Sequence, residues 1–376
     1  MSLQEQIDER RQEIQTAAYP MSIGELVNLY RDDELDIHPE FQRFFRWTQT
    51  QKSRFIESLL LGIPIPSIFV FQRRDGVWDL IDGLQRVSTI LEFMGELKDE
   101  AGNRLAPAEL IGTEYLPALN GTLWSSEIEG FDHGRNTPLT SDQQRLIKRA
   151  SIDIKIINRE SDENAKFDLF QRLNTGGSEL SAQEVRNSML IMVNPDYYRG
   201  VSSLREDEYF QGSTTLPERS IEEQYDQELV IRFLALKNST NDELGRIRDL
   251  SDFLTKYSVN EAKKGPISDD DKSSFANVFR LLWSALGEST FRRYDQEKGK
   301  FLGAFTVSAF EAVTLGLYAN LDGYVSLDSD YADEVITARV KALWQADEFR
   351  KKSGMGVRAN SRISAIVPFA RQHFAL

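Results

Sequence analysis

The sequence predicts an α+β protein, with a small mixed sheet and its helices in the N-terminal half and an all-α domain after it. Strand-like apolar runs occur before residue 160, whereas from about residue 220 onward the apolar spacing is helical throughout. The length of 376 residues corresponds to about two domains, at roughly 150 residues each. We therefore expect an N-terminal domain over residues 1–215 and a helical C-terminal domain over residues 216–376.

Capping signals mark the first helices. Residues 1–16 are polar and charged, which is typical of a polar helix or a frayed leader. Ser22 and Glu25 have the spacing of a capping box, and Thr48 with Gln51 opens a second helix in the same way. Both patterns place an apolar stripe directly behind the cap.

The sheet is predicted from three short runs. Residues 35–39 resemble a strand that ends at a proline, and residues 68–71 and 77–81 flank turn residues as in a hairpin. The second hairpin strand ends at Asp82 and Gly83, and a helix follows at once. This order of strand, tight turn and helix exposes backbone amides at the helix start.

The middle of the chain alternates between loops and regular elements. Residues 97–140 are rich in Gly, Asn, Pro and Thr, which predicts an insertion with little regular structure. A short basic helix over 141–150, a strand over 152–157 and a helix over 162–173 follow, and Ser181 caps the next helix. Later helical patterns cover residues 221–237, 269–286, 303–320, 331–346 and 360–374.

Composition excludes several classes of protein. The net charge of −14 excludes a uniformly basic nucleic-acid binder. The absence of cysteine excludes a disulfide scaffold, a thiol nucleophile and an iron–sulfur cluster, and three scattered histidines make a His-rich metal site improbable. No apolar run approaches the roughly 18 residues of a membrane span, so we expect a cytoplasmic protein.

The strongest local motif is the turn from Asp82 to Arg86. Gly83 lets the backbone approach a ligand closely, the following helix start offers free amides, and Arg86 adds donors that match phosphate oxygens. The alternative is a plain turn with a surface arginine. The pattern by itself leaves both interpretations open.

Two further segments carry possible binding chemistry. Residues 41–47 combine two arginines with four aromatic residues, a mixture that can stack a base and hold a phosphate, or else form core and ion pairs. Residues 170–181 pass from one helix to the next through a glycine pair, which suits an anion-binding nest or an ordinary helix connection.

The C-terminal end is basic in an otherwise acidic chain. After Glu348 there is no acidic residue, and the six cations are Arg350, Lys351, Lys352, Arg358, Arg362 and Arg371. They could meet a nucleic-acid backbone or dock onto an acidic surface of the same chain, and we expect the second.

Taken together, these motifs resemble the family of N-terminal domains of GmrSD-type restriction systems. Their order over about 150 residues makes the resemblance specific. The segments that carry it are 39–47 (PEFQRFFRW), 82–86 (DGLQR) with Thr89, 172–177 (RLNTGG) and 180–187 (LSAQEVRN).

The resemblance implies a fold and a ligand. The family resembles the ParB and sulfiredoxin fold, in which a Gly-x-x-Arg motif binds nucleotide phosphates, and Gly83–Arg86 matches that motif. It therefore implies nucleoside-triphosphate binding and hydrolysis in a bacterial anti-phage or restriction system. Sulfiredoxin chemistry is excluded because it requires a cysteine.

From this placement we expect the phosphates to lie over Gly83–Arg86. The expected catalytic residues are Asp82, Gln85 and Arg86, with Asp82 holding Mg²⁺ or positioning water and Gln85 orienting that water. The residues expected to bind the nucleotide are Gln42, Arg43, Trp47, Gly83, Thr89, Arg172, Asn174, Gly176 and Gly177.

Two departures from the family limit these expectations. Leu84 stands where the pattern has a glutamine, so turnover is expected to be slow or absent while binding survives. No histidine cluster resembles the HNH nuclease of complete relatives, so DNA cleavage is expected from a partner nuclease. The alternatives are a non-catalytic DNA-binding sensor and a protein-interacting regulator.

Overall fold

The fold is described from a computed structural model. It describes residues 3, 16–37, 47–73, 75–99, 101–127, 132–157, 181–354 and 356–376. The chain divides into two compact units, residues 1–179 (unit 1) and 180–376 (unit 2). This division lies upstream of the boundary expected at residue 215.

A five-stranded mixed sheet forms the centre of unit 1. The strands of unit 1 are β1 (Thr16–Ser22), β2 (Leu35–Asp36), β3 (Ile68–Gln72), β4 (Trp78–Asp82), β5 (Thr122–Leu123), β6 (Thr137–Pro138) and β7 (Ser151–Ile157). The order in the sheet is β1-β7-β3-β4-β2, with antiparallel β1–β7 and β3–β4 pairs and parallel β3–β7 and β2–β4 pairs. The mixed sheet and the β3–β4 hairpin are confirmed, whereas β1 was not predicted.

Helices cover the sheet, and the first two begin at their predicted caps. They are α1 (Ile23–Arg31), α2 (Gln49–Leu61), α3 (Leu84–Met94) and α4 (Ser141–Arg149). Ser22 accepts the Glu25 amide, and Thr48 forms a complete capping box with Gln51. The apolar faces of these helices and one face of the sheet share one core, in which Ile56, Ile68 and Ile154 are fully buried.

The insertion over residues 97–140 has little regular structure, as predicted, but it is packed into the core. It contains a single 3₁₀ turn at Pro117–Leu119 and the short β5–β6 pair among its described residues. Its side chains at Leu110 and Trp124 belong to the same buried cluster as the sheet. Buried Glu57 of α2 accepts the Leu116 amide at 3.0 Å, which ties the insertion to that helix.

Unit 2 is almost entirely helical. Its helices are α5 (Ala182–Val193), α6 (Pro195–Arg205), α7 (Glu208–Thr214), α8 (Glu218–Glu222), α9 (Tyr225–Lys237), α10 (Asn241–Arg246), α11 (Leu250–Lys264), α12 (Asp269–Leu286), α13 (Val307–Tyr318), α14 (Leu321–Val325), α15 (Ser329–Leu343), α16 (Asp347–Ser353) and α17 (Ala359–His373). The structure differs from the prediction in three respects. A hairpin of β8 (Arg293–Asp295) and β9 (Lys300–Leu302) interrupts the helices. The segment 221–237, predicted as one helix, is divided at Gln224, whose φ is 61°. Several helices, including α11, lie outside the predicted segments.

The core of unit 2 contains a charged network beside its aromatic cluster. The carboxylate of fully buried Glu311 accepts a hydrogen bond from Arg232 at 2.7 Å. It also accepts hydrogen bonds from Nε and Nη2 of Arg362, at 2.7 and 2.9 Å. Arg232 also pairs with Glu228 at 2.6 Å, and Arg186 lies 4.0 Å from the same carboxylate. Burial lowers the pKa of the Arg186 guanidinium to about 10, so this side chain stays charged at neutral pH.

Arg362 and Arg371, two of the six cations at the C-terminal end, have partners within unit 2. Arg362 is engaged with Glu311, and Arg371 donates through Nη2 to the carbonyls of Leu236 and Ser239 at the end of α9. Arg362 therefore docks onto an acid of the same chain, as expected, whereas Arg371 docks onto backbone carbonyls. No described helix has the length and apolarity needed to cross a membrane.

Candidate functional site

The turn between β4 and α3 has the predicted geometry. Gly83 adopts φ +101°, and its carbonyl accepts the Val87 amide at 2.9 Å, which begins the helix. A Cβ at this position would lie 2.4 Å from Cγ2 of Ile68. Positive φ and this close approach both require glycine, so the residue is explained without a ligand.

The start of α3 differs from the other helix starts described in unit 1. Ser22, Thr48 and Thr140 cap α1, α2 and α4 with their side chains, whereas Gly83 makes no side-chain cap. The first turn of α3 contains no acidic residue and carries Arg86 instead. A cation there is unfavourable for the helix dipole, which makes a nearby anion stabilising.

Arg86 is held from two sides at this turn. Its Nη2 donates to Oδ2 of Asp82 at 2.9 Å, and its Nη1 donates to the Ser67 carbonyl at 3.0 Å. The Arg86 side chain is 12% exposed and that of Asp82 is 27% exposed. The guanidinium is therefore fixed in place and already has one carboxylate as its anion.

Three other predicted site residues lie at the same helix start. The Trp47 amide donates to Oε1 of Gln85 at 3.1 Å, and the Thr89 hydroxyl donates to the Gln85 carbonyl at 2.7 Å. Thr89 is fully buried, and the Trp47 ring packs edge-on against Phe55 with ring centroids 5.4 Å apart. Intramolecular contacts thus account for Thr89 and for the Trp47 ring.

Comparison with known families bears on this region. Residues 23–191 match the family described as GmrSD restriction endonuclease, N-terminal domain. The match covers 169 of the 376 residues. The resemblance predicted from the motifs is confirmed, and the turn from Asp82 to Arg86 lies inside the matched segment.

The other comparisons add less. Among solved structures, the chain is similar to one titled as a Pnob8-like ParB-N domain, at 14% identity and a TM-score of 0.27, covering 90% of this chain and 96% of that chain. A TM-score of this size does not show that the two folds are alike. No protein with a curated description matches the chain.

Part of the predicted site lies outside the described residues. This applies to Gln42, Arg43, Arg172, Asn174, Gly176 and Gly177. Within the matched segment the structure brings together Asp82, Gly83, Gln85, Arg86 and Trp47. Leu84 packs partly buried against the core, which a glutamine side chain could not do as well.

Sequence reasoning missed two residues that build the turn. Ser67 supplies the carbonyl for Arg86, and Ile68 occupies the space beside Gly83. No motif marks either residue, because both act through their position at the start of β3. Only the pairing of β3 with β4 brings them to the turn.

A metal at this turn would need ligands in addition to the described side chains. No group of three or more His, Asp or Glu residues able to hold a metal occurs in the described part of the chain. Asp82 is a carboxylate at the turn itself. Mg²⁺ commonly binds through one or two carboxylates together with phosphate oxygens and water, so Asp82 fits that mode.

Proposed function

We propose that the chain is a nucleoside-triphosphate-binding component of a bacterial restriction or anti-phage system. The family matched by residues 23–191 is named for a restriction endonuclease, which supports the system. The order of strand, glycine turn and uncapped helix supports the ligand class. Cleavage of DNA is assigned in this proposal to a partner nuclease.

The observation that carries the proposal is the position of Arg86 in the first turn of α3. Its guanidinium lies beside the helix start whose amides lack a side-chain cap. Backbone amides, helix dipole and guanidinium all favour an anion at one place. We place the triphosphate there, with its phosphates over residues 83–86.

Hydrolysis is the finer part of the proposal. Arg86, together with Arg43, would neutralise charge on the transferred phosphoryl group, and Asp82 would hold Mg²⁺ or position water. Gln85 would act near the Trp47 amide, which already fixes its side-chain oxygen. Asn174, Gly176 and Gly177 keep the site-closing roles that the sequence suggests.

Calorimetric titration with ATP, GTP, CTP and UTP in the presence of Mg²⁺ tests binding. The wild type is expected to bind at least one of them, and Arg86→Ala to bind it about tenfold to a hundredfold more weakly, because a charge-assisted bond contributes roughly 1.5–3 kcal/mol. Phosphate release measured with the same four nucleotides tests hydrolysis.

Arg145→Ala is the matched control. Arg145 also pairs with an acid close to it in sequence, Asp142, but it is exposed on α4 and is not part of the turn. Its removal should leave the titration unchanged. Equal affinities for wild type and Arg86→Ala, or no binding of any nucleotide by the wild type, would refute the proposal.

A further inference from the structure

We propose that Asp82 is an internal competitor for Arg86, so that the site accepts a metal-complexed polyphosphate and rejects the metal-free anion. The inference rests on the proposed function and specifies its ligand. It assigns Asp82 a selective role in addition to metal binding. The basis is the ion pair between Asp82 and Arg86.

The pair engages a donor that a phosphate over the turn would use. Arg86 directs Nη2 to the Asp82 carboxylate at 2.9 Å and Nη1 to the Ser67 carbonyl at 3.0 Å. The Arg86 side chain is only 12% exposed, so a ligand must come to the guanidinium at the turn. A phosphate oxygen that bonds Nη2 there displaces the Asp82 oxygen, while the Ser67 contact holds the guanidinium in place.

Charge decides which phosphate can make that exchange. Asp82 and Arg86 together are neutral, so a metal-free polyphosphate would approach a carboxylate as closely as it approaches the arginine. Like charges at this distance repel, and the displaced carboxylate would stay beside the ligand. The bare anion therefore gains little from the exchange.

A divalent cation removes this obstacle. Mg²⁺ bound to the phosphates gives the displaced carboxylate a new partner, and it reduces the negative charge of the ligand. Asp82 lies at the end of β4 and is more exposed than Arg86, so it can turn toward a metal on the solvent side. Arg86 then pairs with phosphate and Asp82 with the metal.

The experiment uses inorganic tripolyphosphate, titrated calorimetrically in EDTA and in excess MgCl₂. The proteins are the wild-type chain, Asp82→Asn, Arg86→Ala and the control Asp142→Asn, which neutralises the exposed acid of the Asp142–Arg145 pair. Asparagine matches aspartate in shape and still accepts a bond from Arg86, so the fold should persist. Thermal melts check this.

Asp82→Asn is expected to bind metal-free tripolyphosphate about tenfold more tightly than the wild type, because the competing charge is gone. The gain in affinity on adding Mg²⁺ should be clearly smaller in Asp82→Asn than in the wild type. The control should titrate like the wild type in both buffers. Mn²⁺ electron paramagnetic resonance should show weaker metal retention in the Asp82→Asn complex.

The outcomes separate the two proposals. If the wild type binds tripolyphosphate through Arg86, but Asp82→Asn shows the wild-type affinities in both EDTA and MgCl₂, the internal competitor is refuted and the binding site stands. If Arg86→Ala binds tripolyphosphate as the wild type does, or if no protein binds it, both proposals fail. Tighter metal-free binding with a reduced Mg²⁺ gain supports the inference.

Discussion

Gly83 is constrained by backbone conformation and by space at the same time. Its φ of +101° lies in the left-handed region, and the missing side chain leaves room for Ile68. Gly76, in the preceding hairpin turn, has a φ of +93° but open space around it. The two glycines therefore differ in packing while sharing a conformation.

This difference predicts the effect of adding a methyl group. Gly83→Ala should destabilise the protein by about 2–4 kcal/mol, combining left-handed strain with overpacking against Ile68. Gly76→Ala should cost only about 1 kcal/mol, since conformation alone is affected. Chemical denaturation measures both variants.

A double variant isolates the packing part. Ile68→Ala combined with Gly83→Ala should be more stable than the sum of the single changes predicts, because the smaller side chain makes room for the new methyl group. Strict additivity would show that the contact with Ile68 does not limit residue 83.

At this scale the sequence identifies the turn but not its contacts. Asp82, Gly83 and Arg86 are adjacent in sequence, and local geometry brings them together. The Ser67 carbonyl and the burial of Thr89 depend on how β3 and α3 pack. Contacts between residues that are distant in sequence leave no local sequence pattern that predicts them.

Helix starts are the elements that the sequence predicts best. The boxes at Thr48 and Ser181 form as expected, because a cap needs only residues three positions apart. Strand β1 was missed because Pro20 interrupts its pattern. Its place at the edge of the sheet explains why the proline is tolerated there.

The tie between α2 and the insertion can be tested through Glu57. This carboxylate is buried and accepts the Leu116 amide and the Thr113 hydroxyl. Glu57→Ala should destabilise the protein by about 2–3 kcal/mol, because two half-buried donors lose their acceptor. Hydrogen exchange at residues 113–116 should accelerate.

Glu25→Ala is a suitable control for that change, since Glu25 is exposed at the start of α1. It should leave exchange in the insertion unaltered. Unchanged exchange at residues 113–116 in Glu57→Ala would contradict the role of the carboxylate as an anchor.

For the whole molecule, the division of the chain does not follow the change in periodicity. The sequence becomes purely helical near residue 220, but the compact unit begins at residue 180. Two contacts explain why: Arg186 of α5 donates to Ser251, and Phe210 of α7 packs against Phe275 with ring centroids 5.4 Å apart. Helices α5–α7 thus complete the core of unit 2.

Two fragments test this division. Residues 180–376 should fold alone and melt cooperatively, because they contain a complete aromatic core. Residues 216–376 lack the helices that cover that core and should fail to fold. Circular dichroism melts compare the two, and equal behaviour of both fragments would contradict the boundary at residue 180.

The charged network of unit 2 has a consequence for helix order. Glu311 on α13 satisfies Arg232 on α9 and Arg362 on α17, so each of these helices has a required neighbour. An apolar core of the same size would tolerate a helix rotated or swapped within the bundle. Here a misplaced helix would leave a buried charge without its partner, at a cost of several kcal/mol. We therefore expect the network to destabilise incorrect helix arrangements during folding more than it stabilises the native arrangement.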